Sequence, residues 1–180
     1  MTDFGLESGA VLLVHFNLKW KSMFDKESQR LKSILNEFIL NIQHIGSTAI
    51  PNILVKSIID IAIAIKPKFL KEISAIVKIM EYNGYIYRGE IGIIDRHLFV
   101  KGTRNFRTHH IHLIPITHPQ WTKHQLFRDY LIDHPETAKR YEKLKISQKN
   151  QFAMNQEVYT EGKSQFIQNI IAKATSIEDK

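Results

Sequence analysis

Residues 44–65, HIGSTAIPNILVKSIIDIAIAI, decide the fold of this chain. The last eight of them, residues 58–65, are isoleucine and alanine except for Asp60. A run that is apolar on both faces is typical of a central strand covered by helices on each side. A carboxylate in such a strand needs a cation, a basic side chain or backbone donors, because burying it unpaired is costly. Asp60 is therefore a candidate ligand for a divalent cation, and an ion pair that holds the sheet is the alternative.

A Gly-Ser pair, Gly46 and Ser47, lies upstream of Asp60 at the start of a predicted turn. A glycine lets backbone N–H groups approach a phosphate, and an acid on a rigid strand can bring a divalent cation to the same place. Lys56, just before the strand, could neutralise phosphate charge. We therefore predict half of a phosphate–metal site. Simpler roles are a turn-capping hydroxyl for Ser47 and a solvated charge for Lys56.

The rest of the chain alternates between helical and strand patterns. The predicted helices lie at residues 24–40, 69–80, 120–132, from Pro135 onward and 156–174, and the further predicted strands lie at residues 85–90, 97–101 and 107–116. No linker or repeat divides the sequence. We predict one α+β domain over residues 1–180, with a mixed β-sheet, flanking helices and a C-terminal helical cap.

A histidine cluster in residues 107–112, RTHHIH, is the second informative segment. On a strand His110 and His112 share one face, while His109 points to the other. Two imidazoles near a carboxylate could bind a metal, act as acid and base, or contact phosphate. They could equally be hydrogen-bonded within the sheet. Glu90, at the end of a neighbouring predicted strand, is the best further acid, so Asp60, His112 and Glu90 are the predicted metal ligands.

Three cations of the C-terminal third, Arg128, Lys145 and Lys163, could hold a triphosphate if they face one cleft. The alternative for each is a salt bridge or a solvated surface position. With Gly46, Ser47 and Lys56, the cations Arg128 and Lys163 make up the predicted nucleotide- and phosphate-binding set.

Composition narrows the class of protein. The 180 residues contain no cysteine, which excludes disulfides and Cys-based zinc sites. The net charge of +7 favours anionic partners, but the basic residues are spread out, so nucleic acid is not an expected partner. We expect neither a signal peptide nor a membrane span, and the expected location is the cytoplasm.

The chain resembles the GrpB family, whose pattern is roughly HIGST-x-V-P-G-L-x-x-K-P-x-x-D. It matches at eight positions and departs from the pattern at Asn52 and Ser57, where Gly and Pro are usual. The matching residues are His44, Ile45, Gly46, Ser47, Thr48, Pro51, Lys56 and Asp60. Similar R-x-x-H-x-H and F-R-D-Y-L elements follow at residues 107–112 and 127–131. The family in turn looks like a branch of the nucleotidyltransferase superfamily.

The resemblance implies a nucleotidyltransferase-like fold and a Mg²⁺-dependent enzyme that moves an NMP group from an NTP to an unknown acceptor. Asp60, His110 and His112 would form its catalytic centre. The superfamily usually carries a second acid two residues after the first, where this chain has Ala62. That departure keeps open a second hypothesis, a non-catalytic nucleotide- or metabolite-binding accessory protein of the same fold.

Overall fold

The computed structural model describes residues 4–7, 10–103, 105–152 and 156–178. The strands are β1 (Leu6–Glu7), β2 (Leu13–Val14), β3 (Ile39–Ile45), β4 (Val55–Lys56), β5 (Ile59–Ile65), β6 (Tyr85–Gly89), β7 (His97–Gly102) and β8 (Phe106–Pro115). The α-helices are α1 (Lys19–Leu35), α2 (Ile73–Tyr82), α3 (Pro119–Asp133), α4 (Pro135–Phe152), α5 (Gln156–Glu161) and α6 (Ser164–Glu178). Short 3₁₀ turns occupy Asn36–Phe38, Ser47–Ala49 and Pro67–Glu72.

The main sheet is mixed and has the strand order β3-β5-β8-β7-β6, with β1 added at one end of β8. Strands β5 and β8 are parallel, and the other pairs are antiparallel. Strands β2 and β4 form a separate two-stranded pair. The predicted mixture of helices with a mixed sheet is confirmed, and β5 lies between two neighbours as expected for a central strand.

The two faces of β5 pack against different helices, because successive side chains of a strand point to opposite sides. Ile59, Ile61 and Ile63 belong to the larger core cluster, which includes residues of α1 and α2. Ala62 belongs with Trp121 of α3 to a smaller cluster. Asp60 lies on the face of Ala62, so α3 covers the face that carries the acid.

One predicted helix lies five residues too far along the chain, and the strand that follows it was missed. Helix α1 ends at Leu35, where residues 24–40 were predicted, and the 3₁₀ turn Asn36–Phe38 leads directly into β3. Strand β3 gives no clear period of two in the sequence, because its pairing with β5 shifts register between Ile39 and Asn41. Its buried and exposed residues therefore do not alternate.

The predicted helix over residues 156–174 is two helices, α5 and α6. Gly162 lies between them, and a Cβ there would stand 2.2 Å from the side-chain oxygen of Gln148 on α4. A larger residue at the break would therefore displace the end of the Gln148 side chain. Lys163 lies in this junction and not in the middle of a continuous helix.

Within the described ranges, no helix combines the length and apolar character needed to cross a bilayer.

Candidate functional site

Asp60 and His110 form a hydrogen-bonded pair across two parallel strands. The two residues are direct partners in the register of β5 and β8, so their side chains leave the same face of the sheet. The distance from Asp60 Oδ1 to His110 Nδ1 is 3.2 Å. The side chains are 26% and 16% exposed, so the pair is partly open to a ligand.

The charge on Asp60 determines which nitrogen of His110 carries a proton. Burial alone would raise the pKa of the Asp60 carboxyl, but the hydrogen bond from His110 and the nearby positive charge, including that of Lys56, lower it. An ionised carboxylate only accepts hydrogen bonds, so His110 Nδ1 is the donor. In the neutral ring the Nε2 atom then has a free lone pair, and it is buried without a partner.

Gly46 lies in close contact with the side chain of Asp60. Its φ of 70° lies in the left-handed region, and a Cβ built on it would stand 2.3 Å from Asp60 Oδ2. The sequence predicted that a phosphate approaches Gly46, and the group that approaches the glycine in this structure is the Asp60 carboxylate. The turn after β3 and the acid on β5 are one structural unit.

Hydrogen bonds from neighbouring residues hold this turn in place. Ser47 Oγ accepts the backbone N–H of Lys56 at 3.3 Å. The Thr48 hydroxyl donates to Ile58 O at 3.2 Å, so it accepts from His44 Nε2 at 3.0 Å. Burial lowers the pKa of His44 to about 4, which keeps this ring neutral. His44 thus supports the turn, and Ser47 joins it to β4.

His112 lies on the same face as Asp60 and His110, because it is the register partner of Ala62. Its ring centroid is 5.5 Å from that of His124 on α3. Burial, with smaller effects from nearby charges, lowers the pKa to about 3 for His112 and to about 4 for His124, so both rings are neutral at physiological pH. His112 Nδ1 and His124 Nε2 are buried without partners.

His124 and Arg96 are members of this group that the sequence analysis missed. The Arg96 charge contributes to the lowered pKa of both His112 and His124, and its Nε atom is also buried without a partner. His124 could have been found from helical spacing, since it is three residues after the buried Trp121 and so falls near the inward face of α3.

Of the predicted cations, Lys56 and Lys163 lie near Asp60. Burial lowers the pKa of Lys56, and the Asp60 carboxylate partly offsets that effect. Burial and the charge of Lys56 lower the pKa of Lys163 to about 8, again with Asp60 opposing. The Lys163 ammonium lies 3.8 Å from the centre of the Tyr159 ring. No hydrogen bond or ion pair to any described residue holds it, so it is available to an anion.

The other two cations have structural partners. Arg128 donates to Gln43 Oε1 and His44 O, at 2.9 and 2.8 Å, and pairs with the carboxylate of Asp129. It therefore fastens α3 to β3. The Lys145 side chain is 1% exposed and donates to Leu54 O.

Glu90 is not brought to the cluster. Its carboxylate accepts the backbone N–H of Asp95 at 2.8 Å, within the turn between β6 and β7. Its charge opposes the burial effect on the pKa of His97. The side chain of His97 belongs to the opposite face of the sheet, because its neighbour Leu98 is the partner of His112.

The donor set does not fit a dedicated Mg²⁺ site. Mg²⁺ prefers oxygen ligands in octahedral geometry. The cluster offers one carboxylate, already bonded to His110, and three imidazoles. Within the part of the chain that the structure describes, no three or more His, Asp or Glu side chains are arranged to hold a metal ion. The sheet face at Ala62 supplies no second acid.

Comparison with known proteins places this geometry in a family. The family profile described as GrpB protein matches residues 10–173. The chain belongs to the GrpB family. It is 34% identical to the glutamate-rich protein GrpB of Alkalihalophilus pseudofirmus over 171 residues, which cover 93% of this chain and 97% of that protein.

Other GrpB-related proteins are similar over most of this chain. UPF0157 protein YqkA of Bacillus subtilis is 41% identical over 157 residues, which cover 87% of this chain but only 45% of YqkA. The crystal structure of conserved protein GrpB from Enterococcus faecalis superposes with a TM-score of 0.84 at 31% identity, covering 94% of this chain and 100% of that one. The α+β architecture with its mixed sheet is therefore a GrpB architecture.

Proposed function

We propose that this GrpB-family protein is a nucleotidyltransferase-type enzyme that moves an NMP group from an NTP to an acceptor. The observation that carries the proposal is the Asp60–His110 pair, which lies against the Gly46 turn and is flanked by Lys56 and Lys163. The succession of a strand, a Gly-Ser turn and an acid on the next strand is the arrangement that the superfamily resemblance implies. Asp60, His110 and His112 are the proposed catalytic group.

Phosphate binding falls to Lys56 and Lys163. Both ammonium groups are partly desolvated and repel each other, which lowers the pKa of Lys163 to about 8. A triphosphate would supply the negative charge that these neighbours lack, and charge-assisted hydrogen bonds to phosphate are among the stronger ones. Gly46 and Ser47 shape the turn beside them. Arg128 contributes by holding α3 against the sheet.

The Mg²⁺ of this proposal arrives as part of the Mg–NTP substrate. The chain provides the single carboxylate of Asp60, because Ala62 replaces the second acid of the superfamily pattern. The protein's own residues bind and orient the phosphates, and the imidazoles are available to handle the acceptor's proton.

Next to the Gly46 turn, an open cavity of about 390 Å³ offers a place for the nucleobase or the acceptor. Its apolar wall is formed by Phe16, Leu18, Phe24 and Pro51, and Lys21 and Gln43 add polar groups. It is close to the size range of small-molecule sites in proteins. Thr48 and Ala49 of the turn form part of its lining, so the cavity borders the Gly46 turn, and its Phe24 and His44 lie on the face of the sheet opposite Asp60.

Ala62 favours a second candidate function, the non-catalytic binding of a nucleotide or metabolite by the same cleft. In that case Lys56 and Lys163 hold the phosphates, and Asp60 only orients His110. If the ligand is an NTP, the two candidates differ in whether pyrophosphate is released.

A thermal-shift and calorimetric screen of the four common NTPs, with and without Mg²⁺ or Mn²⁺, tests both. A ligand at 100 times its Kd adds about 2.7 kcal/mol of stability. Stabilisation by an NTP with metal, followed by pyrophosphate release with an acceptor mixture, supports the enzyme. Stabilisation without release for any acceptor class favours the accessory protein. Absence of NTP binding at millimolar concentration contradicts the enzyme and leaves only the binding of another metabolite.

A further inference from the structure

Four buried polar atoms on the Asp60 face of the sheet lack hydrogen-bond partners. They are Nε of Arg96, Nε2 of His110, Nδ1 of His112 and Nε2 of His124, and they make up four of the six such atoms among the described residues. The great majority of buried polar atoms in proteins are satisfied, so this concentration needs a cause. The four side chains are partly exposed as a whole, so the group borders solvent. A ligand that pairs with several of these atoms at once is such a cause.

The Arg96 guanidinium gives this group a positive charge that no ion pair neutralises. Its Nη2 atom donates to two backbone oxygens of its own turn, at 3.0 and 2.9 Å, which fixes its position and leaves its charge. Among the described residues no carboxylate forms an ion pair with it. The charges of the turn's acids, Glu90 and Asp95, act on a histidine of the opposite face. Arg96 itself acts on the pKa of His112 and His124, so it lies near both rings. A partly buried cation without a partner favours an anionic ligand.

The four atoms differ in what they offer a ligand. Arg96 Nε–H is a donor, and the neutral rings of His112 and His124 can each donate one N–H. These three residues are called the donor group. His110 is different, because its Nδ1–H is donated to Asp60 and its Nε2 atom is left as an acceptor. The set therefore fits a ligand with an oxyanion, which accepts from the donor group, and a hydroxyl, which donates to His110.

The donor group and the two lysines proposed for phosphate binding interact with different parts of the cleft. Lys56 precedes β5, and its charge and that of Lys163 interact with Asp60. His112 lies two residues beyond His110 along β8, and its neighbours in the donor group come from α3 and from the turn before β7. The Asp60–His110 pair thus has one set of cationic side chains for the NTP and a second set that is available to another anion.

We propose that the acceptor bound at this face is a hydroxyl compound that also carries a carboxylate or a phosphate. The donor group holds the oxyanion, and His110 Nε2 accepts the proton of the hydroxyl. The hydroxyl oxygen forms a bond to the α-phosphorus of the NTP, the bond from that phosphorus to the pyrophosphate oxygen breaks, and pyrophosphate leaves with the electron pair. This reaction rests on the proposed function, whereas binding of the anion does not. The acceptor then lies on the Asp60 face and not in the cavity beside the Gly46 turn.

Isothermal titration calorimetry of the full chain without nucleotide tests this assignment with glycerol 3-phosphate, glycerate and glycerol as probes. The first two supply a phosphate and a carboxylate, and glycerol is the neutral control. At least one of the anions is expected to bind more tightly than glycerol, and the tighter anion identifies the anionic group. Arg96→Gln is expected to weaken its binding about 10–100-fold, the loss of one charge-assisted hydrogen bond. Arg88→Gln is the matched control, because Arg88 is an exposed arginine of β6.

Two further variants and one measurement on the wild type keep the test independent of the turn that Arg96 holds. His124→Gln, on α3, is expected to weaken anion binding as well. Lys163→Met is expected to weaken glycerol 3-phosphate binding less than Arg96→Gln does, which separates this subsite from the lysines proposed for the NTP. In NMR spectra of the wild-type histidine rings, the bound anion is expected to shift the nitrogen signals of His112 and His124 and to leave those of the exposed His15 unchanged.

Three results would each overturn the inference. They are the absence of binding by both anions, equal anion affinity in Arg96→Gln and Arg88→Gln, and unchanged ring signals of His112 and His124. If an anion binds through Arg96 and no NTP binds, the proposed function fails and the anion subsite remains. If an NTP binds and neither anion does, only the acceptor subsite fails.

Discussion

A Cβ on Gly46 would stand 2.3 Å from Oδ2 of Asp60, a distance that real Cβ atoms do not show. The glycine and the acid are 14 positions apart in the sequence but form one contact, because β3 and β5 are antiparallel neighbours with Ile45 opposite Asp60. The Gly-Ser turn of this GrpB protein is thus tied to its candidate acid before any ligand arrives. That contact gives the first prediction.

Gly46→Ala is expected to destabilise the fold more than Gly84→Ala does. Both glycines have positive φ, at 70° and 85°, but a Cβ on Gly84 meets no atom within 4 Å. Gly84→Ala, the control, is therefore expected to lose about 1–2 kcal/mol of stability from backbone strain alone. Gly46→Ala is expected to lose about 1–3 kcal/mol more because of the clash with Asp60. Urea denaturation measures the difference. Equal losses of stability would show that the Asp60 contact is relieved without cost.

Replacing Ala62 by Asp, which would place a second acid two residues after Asp60, is expected to destabilise the protein by about 3 kcal/mol or more. Ala62 is 0% exposed and packs with Trp121, so the new charge is buried without a designed partner. Ala62→Val, similar in size but uncharged, is the control for crowding. If millimolar Mg²⁺ rescues Ala62→Asp and leaves Ala62→Val unchanged, the cleft accepts a second oxygen-ligated cation. Stability equal to wild type would contradict the tight packing of this face.

Lys163→Met is expected to weaken NTP binding about 10–100-fold, the loss of one charge-assisted hydrogen bond of about 1.5–3 kcal/mol. Lys173→Met is the matched control, since Lys173 is an exposed lysine of the same helix region. Isothermal titration calorimetry with the best NTP of the screen compares the two variants. Similar affinities for both would remove Lys163 from the phosphate site.

Stability is expected to rise with pH between about 7 and 10, in part because of Lys145. Burial, then the charge of Lys163, lower the pKa of Lys145 to about 7, while Glu142 opposes the shift. The ordinary lysine pKa near 10.4 applies to the unfolded chain, which therefore holds more protons than the folded chain across this window. The stability that depends on a neutral Lys145 amine is fully present above the pKa of the unfolded chain. It is lost as the pH falls through about 7.

Lys145→Met should reduce this dependence by an amount on the order of a few kcal/mol between pH 7 and 10. The measurement is the free energy of unfolding in urea at each pH, compared between the wild type and the variant. Lys163 titrates in the same direction, so only the difference between the two curves reports on Lys145. Parallel curves would mean that Lys145 keeps an ordinary pKa in the folded protein.

Several features of the site could be derived from local sequence patterns. Alternation along a strand places His110 and His112 on one face, and an acid within the isoleucine run of β5 had to find a partner. The convergence of Asp60, His110 and His112 on one site was predicted on the condition that their two strands are neighbours, and no local pattern says that β5 and β8 are. Glu90 was predicted to join the site, but its carboxylate accepts the backbone N–H of Asp95 in its own turn. Local patterns could not distinguish these two roles.

By itself the sequence determined membership of the GrpB family, the central strand with its single acid and the histidine pair, because these depend on residues a few positions apart. Only the tertiary structure decided that Asp60 stands opposite His110, that His124 reaches His112, and that Arg128 holds α3 while Lys163 is available. Those relations depend on strand order and helix docking. Both are set by the summed packing of β5 and its neighbours against α1, α2 and α3, and no short segment encodes that sum.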